Sequence, residues 1–183
     1  MNLWALPVSV RLGEREFPHA SDFRAVLKIL SVLGDEARPP WFRWLTALAM
    51  FYDDPIPREL EGDAMAYLSS FLTCGDPGSP GPKLLDWQQD AAAIIADVNA
   101  VAGREVRAEA YLHWWSFLSF FHGIREGQLS TRVAIRDKLA RGKKLEGWEQ
   151  DYYNAHRDQI RLASSLTPAE QAQKAHLQAL LTP

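Results

Sequence analysis

One short stretch of the chain, residues 111–121, is so rich in aromatic side chains that it must organise the fold around it. Six of its eleven residues are Tyr, Trp or Phe. A buried aromatic side chain removes about 150 to 250 Å² from water, so such a stretch forms either the centre of a core or a face that meets a partner. At helical spacing, Trp114, Phe117 and Phe121 share one stripe. The pattern predicts a helix over about residues 108–124, and a helix apolar nearly all round favours the core.

Length and composition are typical of a soluble, single-domain protein. The chain has 183 residues, of which 20 are basic and 23 acidic, for a formal net charge of −3. No overall field therefore favours nucleic acid or an anionic membrane. The single cysteine, Cys74, excludes an internal disulfide framework and fits a reducing compartment. The uncharged run at 110–124 is shorter than the ~20 residues that span a bilayer, and no export signal is evident, so we expect a cytoplasmic location.

A short β-hairpin is predicted ahead of the helices. Apolar residues alternate with polar ones from Val8 to Leu12, and Gly13-Glu14 then forms a two-residue turn. This register places Val10 opposite Phe17, with an opposite-charge pair on the other face of the ribbon. Two strands alone are marginally stable, so the hairpin must pack against the helices.

The rest of the chain reads as helices separated by strong breaks. The expected fold class is mainly α, a helical bundle of about seven helices with the short N-terminal hairpin. We predict an N-terminal half at 1–74, a Gly/Pro linker at 75–83, a second helical half at 84–163 that completes the same globular domain, and a C-terminal helical extension at 164–183 opened by a capping box. Helical periodicity places the other helices near residues 23–34, 41–52, 60–72, 84–103, 130–139 and 148–162.

The best constellation for acid–base or metal chemistry combines His113 with Asp86 and Asp90. The two carboxylates are four residues apart, and they could face the imidazole across a pair of helices. Carboxylates at a helix start also complement the helix dipole without any catalytic role. No phosphate-binding loop, nucleophile elbow or paired-histidine zinc motif occurs. We therefore expect no catalytic, metal or cofactor site, with a small enzyme at these three residues as the alternative.

Two segments are strongly charged. Residues 132–144 carry six basic side chains against one acid, and residues 53–63 carry five acids against one arginine. The basic run lacks the interleaved aromatic residues on which bases stack, so a solvated face is favoured over nucleic-acid binding. The acidic stretch could pair with the basic run of a second copy of the chain in self-association.

A set of short motifs between Ala5 and Leu162 resembles a known family. The most specific motif is Leu112-His113-Trp114-Trp115, and the others are Phe17-Pro18, Asp22-Phe23-Arg24, Leu85-Asp86-Trp87 with Asp90, and Ile135-Arg136. Together they resemble small proteins of long-tailed bacteriophages and prophages that are encoded between the tail-tube and tape-measure genes. These proteins are generally assigned to tail assembly as chaperones.

The resemblance implies a chaperone in the host bacterial cytoplasm that binds hydrophobic helical segments of the tape-measure protein. A structural component of the virion is a second assembly role, and neither a membrane nor a small-molecule substrate is expected as a partner. A chaperone that binds an apolar helix reversibly needs a hydrophobic groove to receive it. The candidate partner-binding residues, chosen for surplus apolar surface or positive charge, are Trp41, Trp44, Leu48, Trp115, Arg136 and Arg141.

Overall fold

A two-stranded sheet and eight α-helices make up the part of the chain that this computed structural model describes, residues 4–76, 78 and 81–162. The predicted mainly α fold with an N-terminal hairpin is confirmed. The predicted extension at 164–183 lies outside the described residues. Two single turns of 3-10 helix occupy Arg58–Leu60 and Val106–Ala108. The regular elements are β1 Ser9–Leu12, β2 Arg15–Pro18, α1 Phe23–Leu33, α2 Pro40–Phe51, α3 Glu61–Leu72, α4 Ala91–Ala102, α5 Trp114–His122, α6 Gln128–Ala140, α7 Gly147–Ala155 and α8 Arg157–Ile160.

The hairpin has the predicted register and is anchored on the helices. Val10 pairs with Phe17 across the antiparallel strands. Gly13 at the turn has a φ of 58°, a left-handed conformation that glycine adopts without steric cost. Phe17 is fully buried, and its ring meets that of Tyr52 edge to face with 6.3 Å between centroids. The helices thus supply the packing that an isolated hairpin lacks.

One hydrophobic core draws on both helical halves of the chain. Phe23 of α1 stacks on Phe117 of α5 with 4.7 Å between ring centroids. Trp87 lies 5.7 Å from Trp114 and 5.1 Å from Phe121, again between ring centroids. Helix α1 packs on α2 and α5, and α4 packs on α5 and α6. None of the helices in the described ranges is both long and apolar enough to cross a membrane.

The aromatic helix is shorter than predicted, because α5 begins only at Trp114. Before it, the chain runs extended beside the residues that precede α1. The Phe23 N–H donates to the Leu112 carbonyl at 2.9 Å, and the Trp114 N–H donates to the Ser21 carbonyl at 2.7 Å. The Asp22 carboxylate also accepts from the Leu112 N–H at 3.1 Å. These tertiary hydrogen bonds engage backbone groups that a longer helix would need for itself.

Two further boundaries differ from the predictions. Helix α4 begins at Ala91 rather than near residue 84, because the Asp86 carboxylate accepts from the backbone N–H groups of Gln88 and Gln89 and closes a turn there. The helix predicted at 148–162 is divided at His156 into α7 and α8.

Helix α6 is capped by a side chain from another helix. The carboxylate of Asp97 in α4 accepts from the N–H groups of Gln128 and Leu129 at 3.3 and 2.8 Å. The helix therefore begins at Gln128, before its predicted start near Ser130, and the Ser130 hydroxyl donates to the Gly127 carbonyl. A β carbon at Gly127 would collide with the Asp97 carboxylate, so the close approach requires glycine.

Candidate partner-binding surface

Helix α2 is apolar on two sides, one turned inward and the other turned to solvent. Its 12 residues include a single charged side chain, that of Arg43. The inward side buries Ala47, Leu48 and Phe51 in the core. Because a surface helix normally presents polar residues to water, the solvent side needs a separate explanation.

The solvent side of α2, which we call the outer face, consists of Trp41, Phe42, Leu45 and Ala49. The helical period places these four residues within an arc of about 100°. The exposed fractions are 67% for Trp41, 54% for Leu45 and 39% for Phe42. The rings of Trp41 and Phe42 meet edge to face with 5.8 Å between centroids. An exposed apolar patch of this kind indicates an interaction site.

A groove of about 280 Å³ continues the outer face toward the chain that follows α2. The hydroxyl of Tyr52 at its base donates to the Ala64 carbonyl at 3.0 Å, so the polar end of this residue is already satisfied. The volume is at the lower limit of pockets that enclose small molecules, about 300 Å³, and suits a side chain of a docked polypeptide better. Its apolar lining comes from Leu45, Leu48, Ala49, Pro55 and Ile56. The lining also includes three acidic residues, which we call the rim: Asp53, Asp54 and Glu61.

The three contact residues predicted on α2 have different environments. Trp41 lies on the outer face. Trp44 is half-buried and lines a second groove, of about 450 Å³, together with Trp87 and Phe121. Leu48 is only 6% exposed and lines the groove of the outer face from inside the core. Leu48 therefore supports this surface without being free to make broad contact with a partner.

The expectation that Trp115 faces a partner is wrong, because this side chain is 3% exposed. Its indole N–H donates to the Phe71 carbonyl at 2.9 Å, and the indole N–H of Trp114 donates to the Leu72 carbonyl at 3.0 Å. The two indoles thus bond to carbonyls in the last turn of α3, where helical donors run out. The Phe71 carbonyl also accepts from the Cys74 N–H at 3.2 Å. Trp115 is a structural residue of the core.

His113 also has a structural role. Its Nδ1 accepts from the Trp115 N–H at 3.0 Å, which caps α5, and its Nε2 donates to the Pro7 carbonyl at 2.9 Å. These two hydrogen bonds define a neutral tautomer. Burial lowers the pKa of the imidazole below its ordinary value, although the hydrogen bond to Pro7 opposes this shift. Both ring nitrogens are engaged, whereas metal ligation or proton transfer needs one of them free.

Arg136 is buried, so its predicted place on an exposed basic face is wrong. It forms a bidentate ion pair with Asp90 at 2.6 and 2.9 Å, in which the side chains are 5% and 0% exposed. Its guanidinium also donates to the carbonyls of Ile160 at 2.6 Å, Leu84 at 2.9 Å and Gln159 at 2.8 Å. All five guanidinium N–H donors therefore have an acceptor. This cluster, the Arg136 clamp, joins α6 to the start of α4 and the end of α8.

Only part of the basic run at 132–144 faces solvent. The Arg132 side chain is 8% exposed beside the same buried carboxylate. Lys138 pairs with Glu149 at 2.7 Å. Arg141 is exposed, as a partner contact requires, and pairs with Asp137 at 2.7 Å. The run thus divides into an inner half that holds helices together and an outer half at the end of α6.

The three residues of the alternative enzyme site have separate functions in the fold. The Asp86 carboxylate accepts from backbone N–H groups and from Lys83 at 3.0 Å, and these bonds, that from Gln89 foremost, lower its pKa. Asp90 is paired with Arg136, and His113 caps α5. Within residues 4–162 as described, no three or more His, Cys, Asp or Glu side chains are placed to hold a metal ion.

Phe42 and Leu45 belong to the outer face although no motif singles them out. The signal that could reveal them is the near absence of charge over residues 40–51, which leaves no polar side to turn toward water.

Comparisons of the chain with protein-family models, curated proteins and solved structures found no match. The candidate surface is therefore defined by the geometry and the charges of this chain.

Proposed function

We propose that this chain is a tail-assembly chaperone of a bacteriophage or prophage, acting in the host cytoplasm, and that the outer face of α2 covers apolar helical segments of the tape-measure protein. The observation that carries the proposal is the exposure of Trp41 and Leu45 on a helix whose opposite side is already buried. The likeness of Leu112-His113-Trp114-Trp115 to the phage family supports the choice of partner.

The size of the outer face suits reversible binding. Covering the exposed parts of Trp41, Phe42 and Leu45 would contribute on the order of 4 kcal/mol, since full burial of one large apolar side chain contributes about 1.5 to 3 kcal/mol. Association costs at least about 4 kcal/mol in lost translational and rotational freedom. A partner would therefore need contacts in the adjoining groove as well, and it could still be released when the tail assembles.

The outer face is held in place without a partner. Ala47 and Phe51 on the inward side of α2 are fully buried. Arg43 donates to the Leu33 carbonyl at 2.8 Å, which ties the start of α2 to the end of α1. A partner can thus bind and leave without any need for α2 to unfold, and substitutions on the outer face should leave the fold intact.

Co-expression with the tape-measure protein of the phage or prophage proposed to encode this chain tests the proposal. The wild-type chain should increase the soluble fraction of the tape-measure protein and co-purify with it. Trp41→Glu and Leu45→Glu should each reduce the recovered complex at least tenfold, because a carboxylate would be buried in an apolar interface. Trp148→Glu is the matched control, since Trp148 on α7 is 61% exposed and lies outside the outer face.

Two results would contradict the proposal. One is that the wild-type chain neither solubilises nor binds the tape-measure protein. The other is that the outer-face variants, with helical circular dichroism like that of the wild type, bind as well as Trp148→Glu does. A released chaperone should also be missing from finished particles, so detection of the chain there by mass spectrometry would favour a structural component of the virion.

A further inference from the structure

We infer that the polypeptide bound by the outer face is a cationic amphipathic helix, with one apolar side chain seated in the adjoining groove and Lys or Arg side chains beside it. The inference rests on the proposed function and specifies the chemistry of its partner. It combines two observations, an apolar concavity that shares residues with the outer face and three acidic residues, the rim, among those that line it.

The groove and the outer face share Leu45 and Ala49, so one bound helix would contact both. The groove is too small for a whole helix but has room for a large apolar side chain at about 280 Å³. An amphipathic helix presents such side chains at positions i, i+3, i+4 and i+7. A helix lying along α2 would thus place one turn over Trp41 and a later turn over the groove.

The rim supplies negative charge that the rest of the described chain does not neutralise. Asp53 and Asp54 are exposed and Glu61 is half-buried. None of their carboxylates forms an ion pair or side-chain hydrogen bond with another residue in the described ranges. The stretch from 53 to 63 has five carboxylates and one guanidinium, that of Arg58. An acidic partner would be repelled at this edge, and a basic one would be attracted.

Lysine and arginine also fit this edge by shape. Their long aliphatic stems can lie against Pro55 and Ile56 while the charged ends reach the carboxylates. A basic residue three or four positions from the anchoring side chain lies on the same side of the partner helix. Three such pairs at the surface should strengthen binding roughly tenfold at low ionic strength, with the gain reduced by salt.

Two synthetic peptides of about 20 residues, long enough to form helix on binding, test the inference with the full chain. Both carry the same leucine stripe, and one has lysine where the other has glutamate beside that stripe. Fluorescence anisotropy at low and high salt would measure the dissociation constants. We expect the lysine peptide to bind the wild-type chain roughly tenfold more tightly at low salt, and the difference to shrink at high salt.

Paired triple variants assign the preference to the rim. The rim variant combines Asp53→Asn, Asp54→Asn and Glu61→Gln. It should lose the preference for the lysine peptide but still bind both peptides through their leucine stripe. The control combines Asp151→Asn, Asp158→Asn and Glu126→Gln. It removes the same charge from exposed positions on α7, on α8 and in the segment before α6, and it should keep the preference.

Three outcomes would overturn the inference. If the two peptides bind equally, or the glutamate peptide binds better, while Leu45→Glu abolishes both, the outer face is a docking site and only the partner chemistry is wrong. If the control triple variant loses the preference as fully as the rim variant, the effect belongs to net charge and not to the groove. If neither peptide binds at any salt concentration, the outer face does not dock helices and the proposed function fails with the inference.

Discussion

Replacing Arg136 with alanine should cause one of the largest losses of stability available to a single substitution in this chain. The change leaves the Asp90 carboxylate fully buried, with Arg132 at 3.5 Å and the Asp86 N–H at 3.0 Å as its remaining partners. Breaking a buried ion pair by removing one partner costs about 3 to 5 kcal/mol.

The lost hydrogen bonds to main chain add to this cost. The carbonyls of Leu84, Gln159 and Ile160 each lose a guanidinium donor at 2.6 to 2.9 Å. A lost hydrogen bond of this kind costs on the order of 1 kcal/mol, and part of the loss is recovered where water can enter. We therefore expect a decrease of about 5 kcal/mol in the free energy of unfolding, which is a large share of the 5 to 15 kcal/mol typical of a domain.

Urea unfolding followed by tryptophan fluorescence measures this decrease. Arg141→Ala is the control, because Arg141 directly follows the same helix and also loses an ion pair, but an exposed one that should contribute under about 1 kcal/mol. The triple variant Asp90→Leu, Arg132→Met and Arg136→Met should recover part of the stability, since it leaves no unpaired charge at this buried site. Equal midpoints for Arg136→Ala and Arg141→Ala would refute the reasoning.

The remaining predictions concern a glycine and two buried imidazoles. Gly127→Ala should lower the free energy of unfolding by about 1 to 3 kcal/mol, since its β carbon collides with the Asp97 carboxylate; an unchanged melting temperature would exclude this clash. Burial lowers the pKa of both His19 and His113 below the 6.5 of the unfolded chain, so the unfolded state binds more protons below that pH. The stability that the two neutral imidazoles contribute should be fully present above about pH 6.5. It should decrease as the pH falls from there toward their lower pKa values in the folded state. His113→Asn keeps a capping side chain, and its urea midpoint should decrease less than that of the wild type as the pH is lowered. An identical decrease would show that His113 does not contribute to the pH dependence.

The features that were predictable from the sequence depend on neighbours along the chain. Alternation around Gly13 set the pairing of Val10 with Phe17, since a two-residue turn leaves one register. Ser21 and Asp22 are the two capping candidates that precede the apolar period, and Asp22 is the one that caps α1. In both cases a few consecutive residues determine the result.

The features that were not predictable depend on residues far apart. Asp90 and Arg136 are separated by 46 positions, and nothing near either residue indicates that they pair. Periodicity showed that the helices of Trp41 and Trp115 are broadly apolar, but it could not say which side would meet the core. For Trp115 the decision came from the end of α3, whose carbonyl at Phe71 accepts the indole N–H.

The motif from Leu112 to Trp115 is bonded to several distant parts of the fold at once, to the residues before α1, to Pro7 and to the end of α3. In the described part of the chain, none of these hydrogen bonds involves α2. Another sequence with this motif would therefore be expected to share the same scaffold, including the buried side of α2, whereas the outer face could diverge. Two such proteins would have one architecture but different outer faces.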